Sequence, residues 1–275
     1  MQENLLLDYL SFDEDLTCLP ISFQCNGTHW LQAATDWTLS SHPEIPGSAE
    51  LRSETLGLRI AIEVRRFPEH CAVDWVCRIR YEGTGDSPLI EDFMALSLSF
   101  PALSGSDDVV VRWSKGDECC CDAFMPHDEL LGVGERRRFA PIGGRSANRT
   151  FPFFSMRRGD AGYTIAIGWS GQWATEFTHE DAGAFTVTAG METTRFRLHP
   201  GEEVRTPRIL LQQWVGAFFD VGHNAFRQLM LDEYIPKNNG ATILPPVAYN
   251  SAASLCMARE DATIKNQQAM ARKAA

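Results

Sequence analysis

From Leu58 to Trp214 the chain keeps a two-residue rhythm broken by turn-forming residues, and this constrains its fold more than any other feature. Leu58, Ile60, Ile62 and Val64 alternate with Arg59, Glu63 and Arg65, which predicts a strand with one buried face. Pro68-Glu69 turns, and Cys71 to Tyr81 follows as a partner strand through Val73, Trp75, Cys77 and Ile79. After Gly83-Thr84-Gly85-Asp86 the pattern returns, with Met94, Leu96, Leu98 and Phe100 on the inward side. Tyr163, Ile165, Ile167 and Trp169 share a face, with Thr164, Ala166 and Gly168 on the other, and Ser170-Gly171-Gln172 is predicted to turn back into a partner strand beginning at Trp173. Phe185 and Val187, then Phe196 and Leu198, alternate with threonines and arginines, His199-Pro200-Gly201 punctuates, and Arg208 to Trp214 reads as a further strand. Only near Phe226, Leu229, Met230 and Tyr234 does the period become helical, and Pro236 ends that helix. Short strands at this spacing, with hardly a helix before residue 220, predict an antiparallel all-β sandwich or barrel.

The rest of the chain is less regular. Residues 1–40 carry Trp30 and Trp37 among polar residues and are expected to form short strands, and 42–47 a loop. Asn238-Asn239-Gly240 is expected to be a linker, 244–251 a strand, and 259–275 a helix rich in Ala, Lys and Gln. No fixed-period repeat or low-complexity segment occurs.

Composition narrows the function. A net charge of −11 over 275 residues argues against a nucleic-acid or anionic-membrane surface, both of which need a basic face. Arg136-Arg137-Arg138 is accordingly expected to be a solvated loop. The opening MQENLLLDYL lacks the basic start and long apolar run of a secretory signal, and no stretch approaches the roughly 20 apolar residues of a membrane span, so a cytoplasmic protein is expected. The eight cysteines include no C-x-x-C, and adjacent Cys119, Cys120 and Cys121 would point to opposite faces of a strand. Neither a disulfide framework nor a metal site is expected, and no cofactor motif is present: the glycines of 132–134 open no phosphate loop, and 168–172 is no nucleophile elbow.

Several ordered blocks lie inside this β-rich region: Pro152-Phe153-Phe154, the run GYTIAIGWSGQW (162–173), LHPGEEVRTPRILL (198–211), and HNAFRQLM (223–230) followed by Tyr234-Ile235-Pro236. Upstream, Val73-Asp74-Trp75-Val76 and 87–92 extend the series. Together they resemble the N-terminal domain of the bacterial α-galactosidases of glycoside hydrolase family 36, over roughly residues 45–250. The resemblance implies an antiparallel β-supersandwich of galactose mutarotase type over 1–236, closed by a linker helix. It implies the start of a catalytic (β/α)8 barrel over 237–275, with the remainder of the barrel missing. The family's catalytic carboxylates lie in that barrel.

A retaining glycosidase needs two carboxyl groups about 5–5.5 Å apart across the scissile bond. The pairs Glu91-Asp92, Asp107-Asp108, Glu202-Glu203 and Asp232-Glu233 match none of the family's barrel motifs, so no catalytic residue is assigned. Sugar recognition remains. Sugars offer C–H faces to aromatic rings and hydroxyls to directional donors and acceptors. Arg145, Ser146 and Asn148, in the loop 143–148, and Trp173 beyond the turn are the candidate substrate-binding residues, while Trp169 reads as core. Arg145 also fits a purely structural role, bracing its own loop through backbone carbonyls. The resemblance implies an α-galactoside ligand, with α-N-acetylgalactosaminidase as a rival activity, and a homo-oligomer formed through the N-terminal domain. With the barrel missing, an apolar face and the unpaired edge of 244–250 are expected to be exposed, so self-association driven mainly by residues after Pro236 is expected as well. The alternative is a stand-alone mutarotase-like carbohydrate-binding or assembly module.

Overall fold

A computed structural model describes residues 10, 12, 15–100, 109–118, 120–180, 184–243 and 263–274. They fall into two compact units, Met1–Leu229 and Met230–Ala275.

The first unit is two antiparallel sheets around one core. In chain order its strands are β1 (Ser22–Cys25), β2 (Thr28–His29), β3 (Thr38–Ser41), β4 (Ala49–Ser53), β5 (Leu58–Phe67), β6 (Ala72–Tyr81), β7 (Ile90–Phe100), β8 (Val109–Trp113) and β9 (His127–Leu131). They continue as β10 (Arg136–Phe139), β11 (Phe153–Arg158), β12 (Ala161–Gly168), β13 (Trp173–His179), β14 (Phe185–Met191), β15 (Arg195–Phe196), β16 (Glu203–Arg205) and β17 (Arg208–Val215). The smaller sheet runs β10-β13-β14-β7-β1-β2, with β15 also on β7. The larger runs β3-β4-β5-β6-β17-β12-β11-β8-β9, with β16 also on β6. The expected all-β sandwich is what forms.

The alternation read from the sequence sets the inner face. Ile60, Ile62, Trp75, Cys77 and Ile79 of the larger sheet are fully buried, as are Phe93, Phe177 and Val187 of the smaller one. Aromatic rings interlock between the sheets: Phe154 meets Trp173 edge-on at 5.9 Å, and Phe177 at 5.4 Å.

Strand β7 departs from the expected face. Gly190 pairs with Met94 while Ala189 pairs with Leu96, so Ala95 is an extra residue in a β-bulge. The bulge turns Phe93 and Ala95 inward and leaves Met94 and Leu98 half-buried. It also presents the Ala95 carbonyl to the Trp75 indole, which donates a 2.8 Å hydrogen bond across the sandwich. Gly190 is required at this point, since a Cβ there would lie 2.5 Å from the Phe93 carbonyl oxygen.

Two local expectations are corrected. Ser170-Gly171-Gln172 makes no hairpin: β12 lies in the larger sheet and β13 in the smaller, so this segment crosses between layers. The arginines 136–138 form strand β10 rather than a loop, held at the sheet edge by Arg137–Glu129 (3.4 Å) and Arg138–Glu192 (2.6 Å) contacts. Asn26-Gly27, not singled out in the sequence, turns the β1–β2 hairpin, both residues having the positive φ that such a two-residue turn demands.

The helix Phe219–Leu229 lies on the outer face of the larger sheet. Trp214 of β17 is its seat: a Cβ at Gly162 of β12 or at Gly222 of the helix would lie 2.2 or 2.4 Å from the indole. These two glycines let the helix and the sheet close on one ring. The predicted single helix over about 220–235 instead becomes a π-helical turn at Met230–Tyr234, with the Ile235 N–H bonding back to the Met230 carbonyl at 2.9 Å.

In the second unit, the expected linker is a hairpin: Lys237–Asn238 pairs with Ala241–Thr242 around Asn239-Gly240, again with positive φ at both. A helix spans Ile264–Ala274. The strand expected over 244–251 lies outside the described residues, as does Cys119.

Candidate functional site

The loop between β10 and β11 carries three of the four residues proposed to bind sugar. Gly143 and Gly144 adopt φ near +80°, and Arg149 +64°, so the chain coils tightly on itself. Its polar groups then turn inward to brace the coil. The Arg145 guanidinium donates to the Asp117 carboxylate at 2.9 Å and to the Asn148 side-chain oxygen at 3.1 Å. The Asn148 amide donates to the Ile142 carbonyl at 2.6 Å, and the Ile142 N–H returns to the Asn148 carbonyl at 3.0 Å. The Asp117 N–H caps the Ala147 carbonyl at 2.7 Å, which lies so close to Gly116 that a Cβ there would be 2.3 Å from it.

Arg145 and Asn148 therefore lie together, with Arg145 exposed and Asn148 half-buried, but each is engaged within the loop. Arg145 braces the loop through side chains rather than the expected backbone carbonyls. Ser146 contributes its carbonyl, which accepts a 2.9 Å hydrogen bond from the Trp173 indole. Trp173 itself requires correction. It is 0% exposed, packed edge-on to Phe154, so its ring offers no face to a ligand and instead ties the loop to the core. Trp169 is half-buried against the core, with the Arg205 guanidinium 5.5 Å over its ring.

Beside the loop, Arg138, Pro141, Ile142, Gln172 and Glu192 line a shallow hollow of 440 Å³. Arg138 holds the Glu192 carboxyl below the usual carboxylate range.

Other carboxylates of the sandwich are likewise held by cations or donors. Asp74, wholly buried on the outer face of β6, is gripped by Arg65 and by Arg208, the latter at 2.7 Å. Arg112 binds Asp128 through two contacts of 2.6 and 2.7 Å and depresses its pKa. Arg59 does the same to Glu50. The Thr55 N–H and then the Ser53 hydroxyl lower Asp36 to about 2, and Lys115 and then Cys120 lower Asp122 to about 2. Among the described residues each displaced carboxyl is displaced downward, opposite to what a general acid needs. Burial raises the Cys25 thiol to about 11 and Cys77 to about 12, which keeps both protonated. Cys120 and Cys121 lie exposed in a turn, and among the described residues no three His, Cys, Asp or Glu side chains are grouped to hold a metal ion.

A second concavity was not foreseen. Between β8, β11, β12 and the helix Phe219–Leu229 lies a cleft of 340 Å³. Phe151, Phe153 and Phe226 form its aromatic wall, with centroids 4.6 Å apart for Phe151–Phe153 and 5.3 Å for Phe153–Phe226. Trp113, Thr164 and His223 also line it. These residues come from four separated segments, and only the folded sheet brings them together.

At the level of sequence, no protein-family model matches the chain and neither does any curated protein. Solved structures do match. A family 36 α-galactosidase of Geobacillus stearothermophilus in complex with raffinose superposes at a TM-score of 0.59 and 15% identity, covering 79% of this chain and 33% of its own. A stachyose complex from the same organism gives 0.59 and 15%, covering 81% and 33%. The α-galactosidase of Lactobacillus brevis gives 0.57 and 12%, covering 78% and 31%. The fold is that of the N-terminal domain of family 36 α-galactosidases. The chain spans about a third of the length of these enzymes. No helix among the described residues is long and apolar enough to cross a membrane.

Proposed function

We propose that this chain is the N-terminal domain of an α-galactosidase-like glycoside hydrolase of family 36. Residues 1–275 act as a recognition and assembly scaffold, and the bond-breaking carboxylates belong to a catalytic barrel outside them. The carrying observation is the fold match to family 36 enzymes, two of them solved with the α-galactosides raffinose and stachyose. The locked carboxylates agree with it: a nucleophile or acid must reach the substrate, whereas Asp74 and Asp128 are engaged by guanidinium groups. In this reading the braced loop at 143–148 presents Arg145, Ser146 and Asn148 as a preformed rim toward an α-galactoside, in a cytoplasmic enzyme. An aryl α-galactoside incubated with the chain should release no aryl alcohol above background. Release that one Asp or Glu substitution abolishes would overturn the reading.

Assembly belongs to the same proposal. Phe218 is 75% exposed, with Val215 and Val221 exposed nearby in sequence, and Ile243 and Ile264 are exposed in the second unit. Exposed apolar groups of this kind mark contact surfaces when they gather. Sedimentation at tens of micromolar, an assay range on the order of weak-interface affinities, should show self-association that changes on removal of residues 237–275. A monomer under those conditions counts against the assembly role.

A further inference from the structure

We infer that the cleft between β8, β11, β12 and the helix Phe219–Leu229 binds a neutral pyranoside, stacked on the Phe153–Phe226 wall and hydrogen-bonded to the Thr164 hydroxyl. The inference goes beyond the family reading and does not depend on it, since the residues proposed there lie in the 143–148 loop.

Size comes first. At 340 Å³ the cleft falls at the small end of the roughly 300–1,000 Å³ typical of small-molecule sites, suiting one or two sugar rings. Its wall is chemically apt: the C–H face of a pyranose packs on aromatic rings, and Phe151, Phe153 and Phe226 supply three in a row. A purely apolar occupant would leave a polar group stranded. Thr164 is 2% exposed and its Oγ1 has no hydrogen-bond partner in the protein, although it lines the cleft. The Trp113 indole nitrogen, on the same lining, is buried and unpartnered as well. Buried polar groups are almost always satisfied, so two orphans on one concavity call for an occupant with hydroxyls that can both donate and accept.

Charge selects the neutral class. Among the described residues no carboxylate lines the cleft, which disfavours a cation. Arg112 reaches it, but its charge is offset by the two-point contact with Asp128. Arg227 is exposed, where solvent screens its charge, and its side chain donates to the Asn224 side-chain oxygen at 3.4 Å. Burial and then the Arg112 charge push the His223 imidazole toward its neutral form, which carries one donor and one acceptor nitrogen.

The test is a titration of the full chain with methyl α-galactopyranoside and methyl α-glucopyranoside, followed by backbone amide chemical shifts and tryptophan fluorescence. Saturable shifts at 113, 151–164 and 223–227 are expected. Thr164→Val keeps the shape and removes the hydroxyl, and should weaken binding about tenfold, the equivalent of ~1.4 kcal/mol. Phe226→Ala should abolish saturation, with a thermal melt confirming that the variant folds; if it does not, Thr164→Val carries the test alone. Shifts confined to the 143–148 loop, no saturation with either sugar, or unchanged affinity in Thr164→Val would overturn the inference.

Discussion

The Trp173 indole nitrogen donates a 2.9 Å hydrogen bond to the backbone carbonyl of Ser146, fastening a surface loop to a ring wholly enclosed between the two sheets. This bond ties the 143–148 loop, braced internally by Arg145 and Asn148, to the core. Trp173→Phe removes the donor and leaves a void, and should cost about 2–4 kcal/mol from the lost bond and the cavity together. Urea unfolding measures the loss. Limited proteolysis should cut the variant faster within 143–148 than the parent chain.

Trp214 performs the corresponding task on the outer face, seated between Gly162 and Gly222. Gly222→Ala favours the helix by propensity, at about 1 kcal/mol, but drives a methyl group into the indole at 2.4 Å. Overpacking of this kind costs about 1–3 kcal/mol, so net destabilisation is expected. Hydrogen exchange should quicken along Phe219–Leu229 while β5 and β6 keep their protection. A variant more stable than the parent would show that the ring can move aside.

These two tryptophans show what was and was not legible in the sequence. Period-two alternation revealed β5, β6, β12, β14 and β17, because each buries one face against the core. It could not reveal that Trp173 is a core residue, since the same alternation places an aromatic at a strand start whether it faces a ligand or the opposite sheet. Layer assignment was lost at Ser170–Gln172, where a crossover uses the same small and polar residues as a hairpin. The face of β7 was lost to the bulge at Ala95, which alternation cannot register. Arg145 and Asn148 were located by their loop, but the Asp117 partner, 28 residues away, is tertiary. Of the aromatic cleft only the block Phe151, Phe153 and Phe154 stood out in the sequence, because Trp113, Thr164, His223 and Phe226 reach it from distant segments.

Acid sensitivity follows from Asp36, whose carboxylate accepts from the Thr55 N–H and the Ser53 hydroxyl, each at 2.7 Å. These bonds lower its pKa from 3.8 to about 2. A carboxyl depressed on folding stabilises the native state fully above its unfolded value, and that contribution fades as pH falls from about 4 toward 2. Asp36→Asn should therefore flatten the acid limb of the stability profile in that window relative to the parent. An identical acid limb in the variant would show that the two hydrogen bonds do not persist in solution.

The central claim, that residues 1–275 recognise sugar without cleaving it, is tested most directly by following binding and turnover in one sample. p-Nitrophenyl α-galactoside is titrated into the chain while tryptophan fluorescence reports binding and absorbance reports nitrophenol. The account predicts a saturable fluorescence change with no nitrophenol above the protein-free blank. Sustained nitrophenol release, lost on substituting a single Asp or Glu of this chain, would contradict it.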